Sequence, residues 1–125
     1  MELILGNQTC YCATTLRVVY FIQKEKGHST FQETLNSLNQ LTTDDQINLI
    51  YTAYKCDKNN KEFLDKETFT DMLLDSCGVY KLTEIATEIV DGLLFSGLST
   101  EEIASKKVEI QKILAGMNSS SEQVD

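Results

Sequence analysis

The pattern of hydrophobic residues changes after about residue 15 of this chain. Residues 1–5 are apolar apart from one charge, Gly6-Asn7 supplies residues that tolerate positive φ, and residues 8–14 mix Thr, Tyr and Cys as in a half-buried strand. From Leu16 onward, each segment begins and ends with helix signals. The sequence therefore predicts an α+β fold, mostly α, in which a short N-terminal β-hairpin precedes five to six short helices.

The length and composition predict one folded unit. The chain has 125 residues, of which 42% are hydrophobic and 24% charged, and these are the values of an ordinary globular domain. We assign residues 1–116 to a single domain made of the hairpin and a helical bundle. The Ser-rich segment 117–125 cannot bury enough apolar area to offset the entropy of ordering, so we predict a disordered tail there.

Charge and apolar run length exclude some classes of partner. Asp and Glu number 19 against 11 Lys and Arg, and the net charge of −8 repels phosphate backbones, so nucleic acid is not an expected ligand. The longest apolar run near the start, residues 18–22, is far shorter than the roughly 20 residues that cross a bilayer, so no membrane span is expected. The four cysteines have no framework spacing and no secretory signal precedes them, which predicts a reducing compartment.

Helix boundaries follow from capping residues and from apolar spacing. The first helix carries an alternative, because residues 18–22 also have strand propensity and could prolong the second strand; the charged end at residues 23–27 favours the helix. Thr30 with Glu33 and Ser99 with Glu102 form capping boxes. The predicted helices cover residues 16–26, 31–40, 44–55, a segment from a cap at Asp65 to a stop at Gly78, 81–95 and 100–114 with Gly116 as its stop.

The two last helices divide into core residues and exposed candidates. The longest amphipathic stripe, which we expect to face the core, comprises Leu82, Ile85, Ala86, Ile89 and Leu93, and in the last helix we expect Ile103, Ile110 and Leu114 to point inward. Leu94 and Phe95 lie beside the stripe rather than on it, and Leu98 follows the helix. We therefore interpret these three residues as candidates for exposed apolar surface.

The connector after the third helix begins like a calcium-binding loop. Asp57 and Asn59 occupy the first and third ligand positions, but Lys61 stands where an oxygen is needed, Glu62 where glycine makes the turn and Thr68 where a bidentate carboxylate closes the shell. A polar connector is the favoured interpretation. A degenerate EF-hand-like calcium binder is the alternative, and no metal ligands are assigned.

The sequence contains no recognisable set of catalytic residues. His28 is the only imidazole, and no cysteine, serine or carboxylate pair stands out as its companion. Cys10 and Cys12 alternate around Tyr11 and suit the packed face of a strand. Adjacent carboxylates occur only in first helical turns, where the helix dipole explains them. We predict a non-enzymatic protein with no catalytic residues, no cofactor and no metal.

The order of elements resembles a known family. Residues 1–12 (MELILGNQTCYC), continuing through 16–21 (LRVVYF), look like the opening hairpin and first helix of the tail assembly chaperones of long-tailed, siphovirus-type bacteriophages and prophages. Residues 41–55 (LTTDDQINLIYTAYK) are similar to the central helix of that family, and residues 63–69 (FLDKETF) to the segment that opens its next helix. The resemblance covers about residues 1–96, and residues 99–114 have no counterpart in it.

The resemblance implies a chaperone that binds the tape measure protein, a long helical chain, and keeps it soluble in the cytoplasm of the bacterial host. It implies no cofactor, and many copies on one partner would self-associate, for which the free hairpin edge is a candidate. Our candidate contact residues, chosen on physical grounds, are Leu3, Ile4, Leu5, Leu94, Phe95 and Leu98. The alternative function is a small acidic adaptor or inhibitor that binds another protein through the same faces.

Overall fold

A computed structural model describes the backbone of residues 1–124 and the side chains of residues 1–112. Within this part of the chain, the elements in order are β1 (Glu2–Leu5), β2 (Gln8–Tyr11), α1 (Leu16–Lys26), α2 (Phe31–Ser37), α3 (Thr43–Cys56), α4 (Lys66–Ser76), α5 (Val79–Phe95) and α6 (Thr100–Val124). The predicted fold class, a hairpin followed by helices, is confirmed. No helix of the described residues has the length and apolarity needed to cross a membrane.

The hairpin forms because a two-residue turn brings β1 and β2 into antiparallel register. Leu5 faces Gln8 across Gly6 and Asn7, and the pairing continues to Glu2 opposite Tyr11. Gly6 has φ 60° whereas Asn7 does not have positive φ, as in a type II′ turn, whose twist matches that of the strands. The alternation of the strands then places one apolar set on the helices, namely Leu3, Leu5, Cys10 and Cys12, all buried.

The helix α3 lies at the centre of the molecule. It contacts α1, α4, α5 and β2, and its buried side chains include Ile50, Ala53 and Tyr54. The ring of Tyr54 stacks on Phe69 of α4 with centroids 4.6 Å apart. The predicted core stripe of α5 is confirmed, because its first four members are buried, and the last, Leu93, is half-buried against the core. A single hydrophobic core thus joins the hairpin to α1, α3, α4 and α5.

Local capping signals account for most helix starts. The helix α1 matches its prediction and ends at Gly27 with φ 72°, so the alternative in which this segment extends β2 is wrong. Side-chain oxygens accept from backbone N–H groups at the starts of α2, α3, α4 and α6, namely those of Thr30, Thr42, Asp65 and Ser99. These bonds satisfy N–H groups that the first turn leaves without a partner.

Three predicted boundaries are wrong. The helix α2 ends at Ser37 rather than residue 40. Gly78 does not close α4 but is the N-cap of α5, which begins at Val79. The helix α6 continues through Gly116 to Val124 rather than ending near residue 114, since glycine in a helix costs only about 1 kcal/mol and the chain has no proline. The domain boundary at residue 116 stays a prediction, although the segment 117–124, predicted as a tail, has helical backbone.

The inward face predicted for α6 is not found. Ile110 is exposed and Ile103 only half-buried, and α6 has no extensive contact with another element in the described residues. Leu114 lies outside the described side chains. An amphipathic stripe shows that one face of a helix is apolar. Whether that face packs on the rest of the chain depends on the direction in which the preceding turn sends the helix.

Candidate partner-binding surface

The predicted contact residues of β1 divide between the two faces of the hairpin. The side chains of Leu3 and Leu5 are buried in the core, so their assignment as contact residues is corrected. They alternate with Ile4, which is 66% exposed on the outer face. Of the three predicted residues, only Ile4 therefore offers its side chain to a partner.

The two edges of the hairpin differ in their backbone hydrogen bonding. Met1 and Cys12 exchange backbone bonds of 2.8 and 3.0 Å, and since bonded pairs alternate in an antiparallel ladder, the N–H and C=O groups of Glu2 and Ile4 point away from β2. In the described residues these outward groups have no protein partner. On the other edge, Asn60 accepts from the N–H of Tyr11 and donates to its carbonyl, each at 2.8 Å. The edge of β1 is thus open and the edge of β2 is covered at Tyr11.

The predicted residues at the end of α5 are also divided. Leu94 is exposed, whereas Phe95 is only 9% exposed and has Lys107 Nζ 5.5 Å from its ring centroid. This corrects the assignment of Phe95, because the start of α6 covers one side of the ring. Leu98 is half-buried and its N–H donates to the carbonyl of Phe95 at 3.1 Å across the turn at Gly97.

The open edge of β1 and the end of α5 belong to elements that pack on different neighbours. The strand β1 packs on β2 and α4, whereas α5 packs on α3 and α1. Near its C-terminal end, α5 approaches the segment before α1 so closely that a Cβ on Gly92 would lie 2.5 Å from Thr14 Cβ. Because Leu3, Leu5 and Phe95 are buried, the six predicted residues do not form one exposed surface.

The helix α6 exposes apolar side chains, among them Ile110, which was predicted to point inward. Val108 is 48% exposed and Ile110 39% exposed, and because they are two positions apart they lie on different faces of the helix, with Ile110 on the face of the half-buried Ile103. A helix whose apolar residues lack a neighbour exposes them to water at a cost of about 25 cal/mol per Å². This helix is consequently the largest element of the fold that offers apolar side chains without packing of its own.

A groove between α1 and α3 was not predicted from the sequence. It has a volume of about 660 Å³, and Phe21 of α1 and Tyr51 of α3 contribute aromatic rings to its lining. Lys24, Lys55 and Lys66 line it as well. A usable sequence signal was an aromatic residue followed three or four positions later by lysine on the same helix face, as in Phe21 with Lys24 and Tyr51 with Lys55.

Burial and local hydrogen bonds account for the environments of Cys12 and Asp57. Burial, with smaller contributions from Cys10 and Asp57, raises the pKa of the Cys12 thiol to about 12, so this thiol is neutral at physiological pH. Asp57 accepts from the N–H of Asn59 at 2.8 Å, which is the geometry of a polar turn. Among the described residues, no three His, Cys, Asp or Glu side chains are grouped as a metal site would require.

The arrangement defines a small α+β domain with an open strand edge, an uncovered helix and a basic groove, all of which are features of surfaces that contact other polypeptides. No protein-family model, curated protein or solved structure matches this chain. The function is accordingly argued from these surfaces and from the residue patterns given above.

Proposed function

We propose that this protein is a non-enzymatic chaperone that covers apolar stripes of a long helical partner, and that it acts as a phage tail assembly chaperone on the tape measure protein. The observation that carries the proposal is α6, a helix of 25 residues that lacks extensive packing and has the exposed Ile110 on the same face as the half-buried Ile103. Such a helix can lie against a second helix with its apolar side chains between them. The family resemblance of the first 96 residues supplies the identity of the partner.

The charge distribution supports a role in keeping a partner soluble. Residues 67–125 carry 11 carboxylates and 4 lysines, so the half of the chain that contains α5 and α6 holds most of the net negative charge. When the apolar residues of α6 are covered by a partner, these charges surround the complex. Like-charged complexes repel one another, which opposes aggregation of an apolar partner.

Self-association forms part of the proposal. The N–H and C=O groups of Glu2 and Ile4 form an open strand edge, and exposed edges pair readily with other strands. Copies bound side by side on one extended partner would be held at high local concentration, so even a short strand pairing would strengthen the assembly. The expected place of action is the cytoplasm of the bacterial host.

Co-expression with a tape measure protein, the large helical protein that the proposal expects to be encoded next to this chain, tests the proposal. Solubility of that protein should depend on this chain, and the substitution Ile110→Ser should lower its soluble fraction several-fold, because an apolar contact at the centre of the exposed face is lost. Leu74→Ser is the matched control, since Leu74 is 53% exposed on α4, away from α6. Circular dichroism of each variant verifies that the fold is retained.

Two results would contradict the proposal. A neighbouring large protein that is equally soluble with and without this chain would remove the chaperone function and favour the adaptor or inhibitor. Equal losses with the α6 variant and with Leu74→Ser would show that α6 has no particular part in binding.

A further inference from the structure

The groove between α1 and α3 combines an apolar lining with a rim of positive charge. Phe21 contributes an exposed ring from α1, and Tyr51 contributes a half-buried ring from α3. Its volume of about 660 Å³ falls within the roughly 300–1,000 Å³ of sites that bury ligands. The groove can thus accommodate several apolar side chains of a bound molecule.

The lysines of the groove are held by neutral groups rather than by carboxylates. Lys24 Nζ lies 4.8 Å from the ring centroid of Tyr20, and Lys66 Nζ donates to Asn48 Oδ1 at 3.0 Å. Lys55 Nζ lies 4.7 Å from the centroid of Phe63. Within the described residues none of these three ammonium groups forms an ion pair, although acidic residues outnumber basic ones in the chain. The three lysines therefore line the groove together with Phe21 and Tyr51, and their ammonium groups can form ion pairs with carboxylates of a partner.

We propose that this groove binds an acidic amphipathic helix of another protein. Its apolar side chains, spaced three and four residues apart, would rest on Phe21 and Tyr51, and its carboxylates would meet Lys24, Lys55 and Lys66. The charge complementarity is specific to this region, since the chain as a whole is acidic and repels acidic partners elsewhere on its surface. The inference does not depend on the proposed chaperone function.

An acidic helix fits the groove better than a nucleic acid does. A nucleic acid strand extends beyond three lysines, and its further phosphates would meet the net negative charge of the remaining surface. Glu25 also lines the groove, where it accepts from Asn48 Nδ2 at 3.4 Å, and it repels any anion placed beside it. A helix can place an apolar side chain next to Glu25, whereas every nucleotide carries a phosphate. The aliphatic side chains of an acidic amphipathic helix can pack on the two rings, and its carboxylates can form ion pairs with the lysines.

The test uses the full chain and a fluorescein-labelled synthetic peptide of about 18 residues, in which leucines at helical spacing alternate with glutamates. Fluorescence anisotropy should detect binding that weakens as salt is raised, because the ion pairs at the rim are exposed. Replacing Lys24, Lys55 and Lys66 together by Gln should weaken binding by about tenfold or more. The matched control replaces Lys58, Lys61 and Lys112 by Gln, which changes the net charge equally but lies outside the groove.

The apolar floor has a test of its own. Phe21→Ser should also weaken peptide binding, since Phe21 is exposed in the groove and its loss leaves the core unchanged. The inference is overturned if both lysine triples reduce binding equally, if the groove variants bind as the unsubstituted chain does, or if single-stranded oligothymidylate competes more strongly than the peptide. Circular dichroism and thermal unfolding exclude loss of fold as the cause of weaker binding.

Discussion

The side-chain amide of Asn60 pairs with the main chain of Tyr11 in the way that a neighbouring strand would. Asn60 Oδ1 accepts from the Tyr11 N–H and Asn60 Nδ2 donates to the Tyr11 carbonyl, both at 2.8 Å, and Nδ2 also donates to the carbonyl of Tyr54 at 2.9 Å. One side chain therefore covers the edge of β2 and attaches the hairpin to the last turn of α3. The connector that resembles a calcium loop thus has a structural role in this fold.

Replacement of Asn60 should destabilise the hairpin. Asn60→Ala leaves the N–H and carbonyl of Tyr11 without protein partners in a partly buried position, so the free energy of unfolding should fall by about 1–3 kcal/mol. Urea unfolding followed by circular dichroism measures the change. Asn59→Ala is the matched control, because Asn59 is exposed and its side chain forms no hydrogen bond within the described residues. Equal effects of the two substitutions would contradict the role assigned to Asn60.

A methyl group at Gly92 should be unfavourable although Gly92 lies in a helix. Alanine is preferred over glycine in helices by about 1 kcal/mol, but a Cβ here would approach Thr14 Cβ to 2.5 Å. Since the contact involves a short side chain next to α1, Gly92→Ala should give a net destabilisation of about 1–3 kcal/mol. Thermal unfolding is the measurement, with Asp91→Ala at the neighbouring exposed position as control. A stabilised Gly92→Ala variant would show that the segment at Thr14 moves freely.

Alkaline pH should weaken the fold through Cys12. The folded pKa of about 12 lies above the usual value of 9.0, so the contribution of this thiol is present below pH 9.0 and is lost as pH rises toward 12. One such group lowers the free energy of unfolding by at most about 1.4 kcal/mol per pH unit. Cys12→Ala should flatten the decline in stability between pH 9 and 11, as measured by urea unfolding at each pH. Cys77→Ala, at a less buried thiol whose pKa is also raised, should flatten it less.

Removal of α6 should leave the rest of the fold intact. A chain that ends at Ser99 keeps every member of the hydrophobic core and loses, among described residues, the contact of Lys107 with Phe95. Tm should therefore fall by no more than about 5 °C, corresponding to roughly 1 kcal/mol for a chain of this size. Differential scanning calorimetry provides the measurement. A chain without α6 that fails to unfold cooperatively would show that α6 contributes to the core.

Local signals in the sequence predicted much of the fold. The turn at Gly6-Asn7, the helix stop at Gly27 and the caps at Thr30, Asp65 and Ser99 all act through groups within a few residues of one another. The prediction of a helix boundary was wrong where one residue type occurs at both helix ends. Gly78 can end one helix or begin the next, and its extended backbone, with φ −86° and ψ 179°, is that of a residue that begins one.

The candidate surface was predicted less well than the fold. Ile4 and Leu94 are exposed as expected, but Leu3, Leu5 and Phe95 are buried. Alternation in a strand shows that neighbouring residues face opposite sides, and only the packing of the helices shows which side is covered.

The sequence by itself determined where the strands, the hairpin turn and most helix starts lie, because these depend on bonds between groups close together in the chain. Only the tertiary structure decided that Asn60 covers a strand edge 49 residues away, that α6 lacks extensive packing and that Lys24, Lys55 and Lys66 share one apolar groove. Such relations depend on how the helices pack, and the directions and distances between elements remote in sequence are set by the shared core rather than by any short pattern of residues.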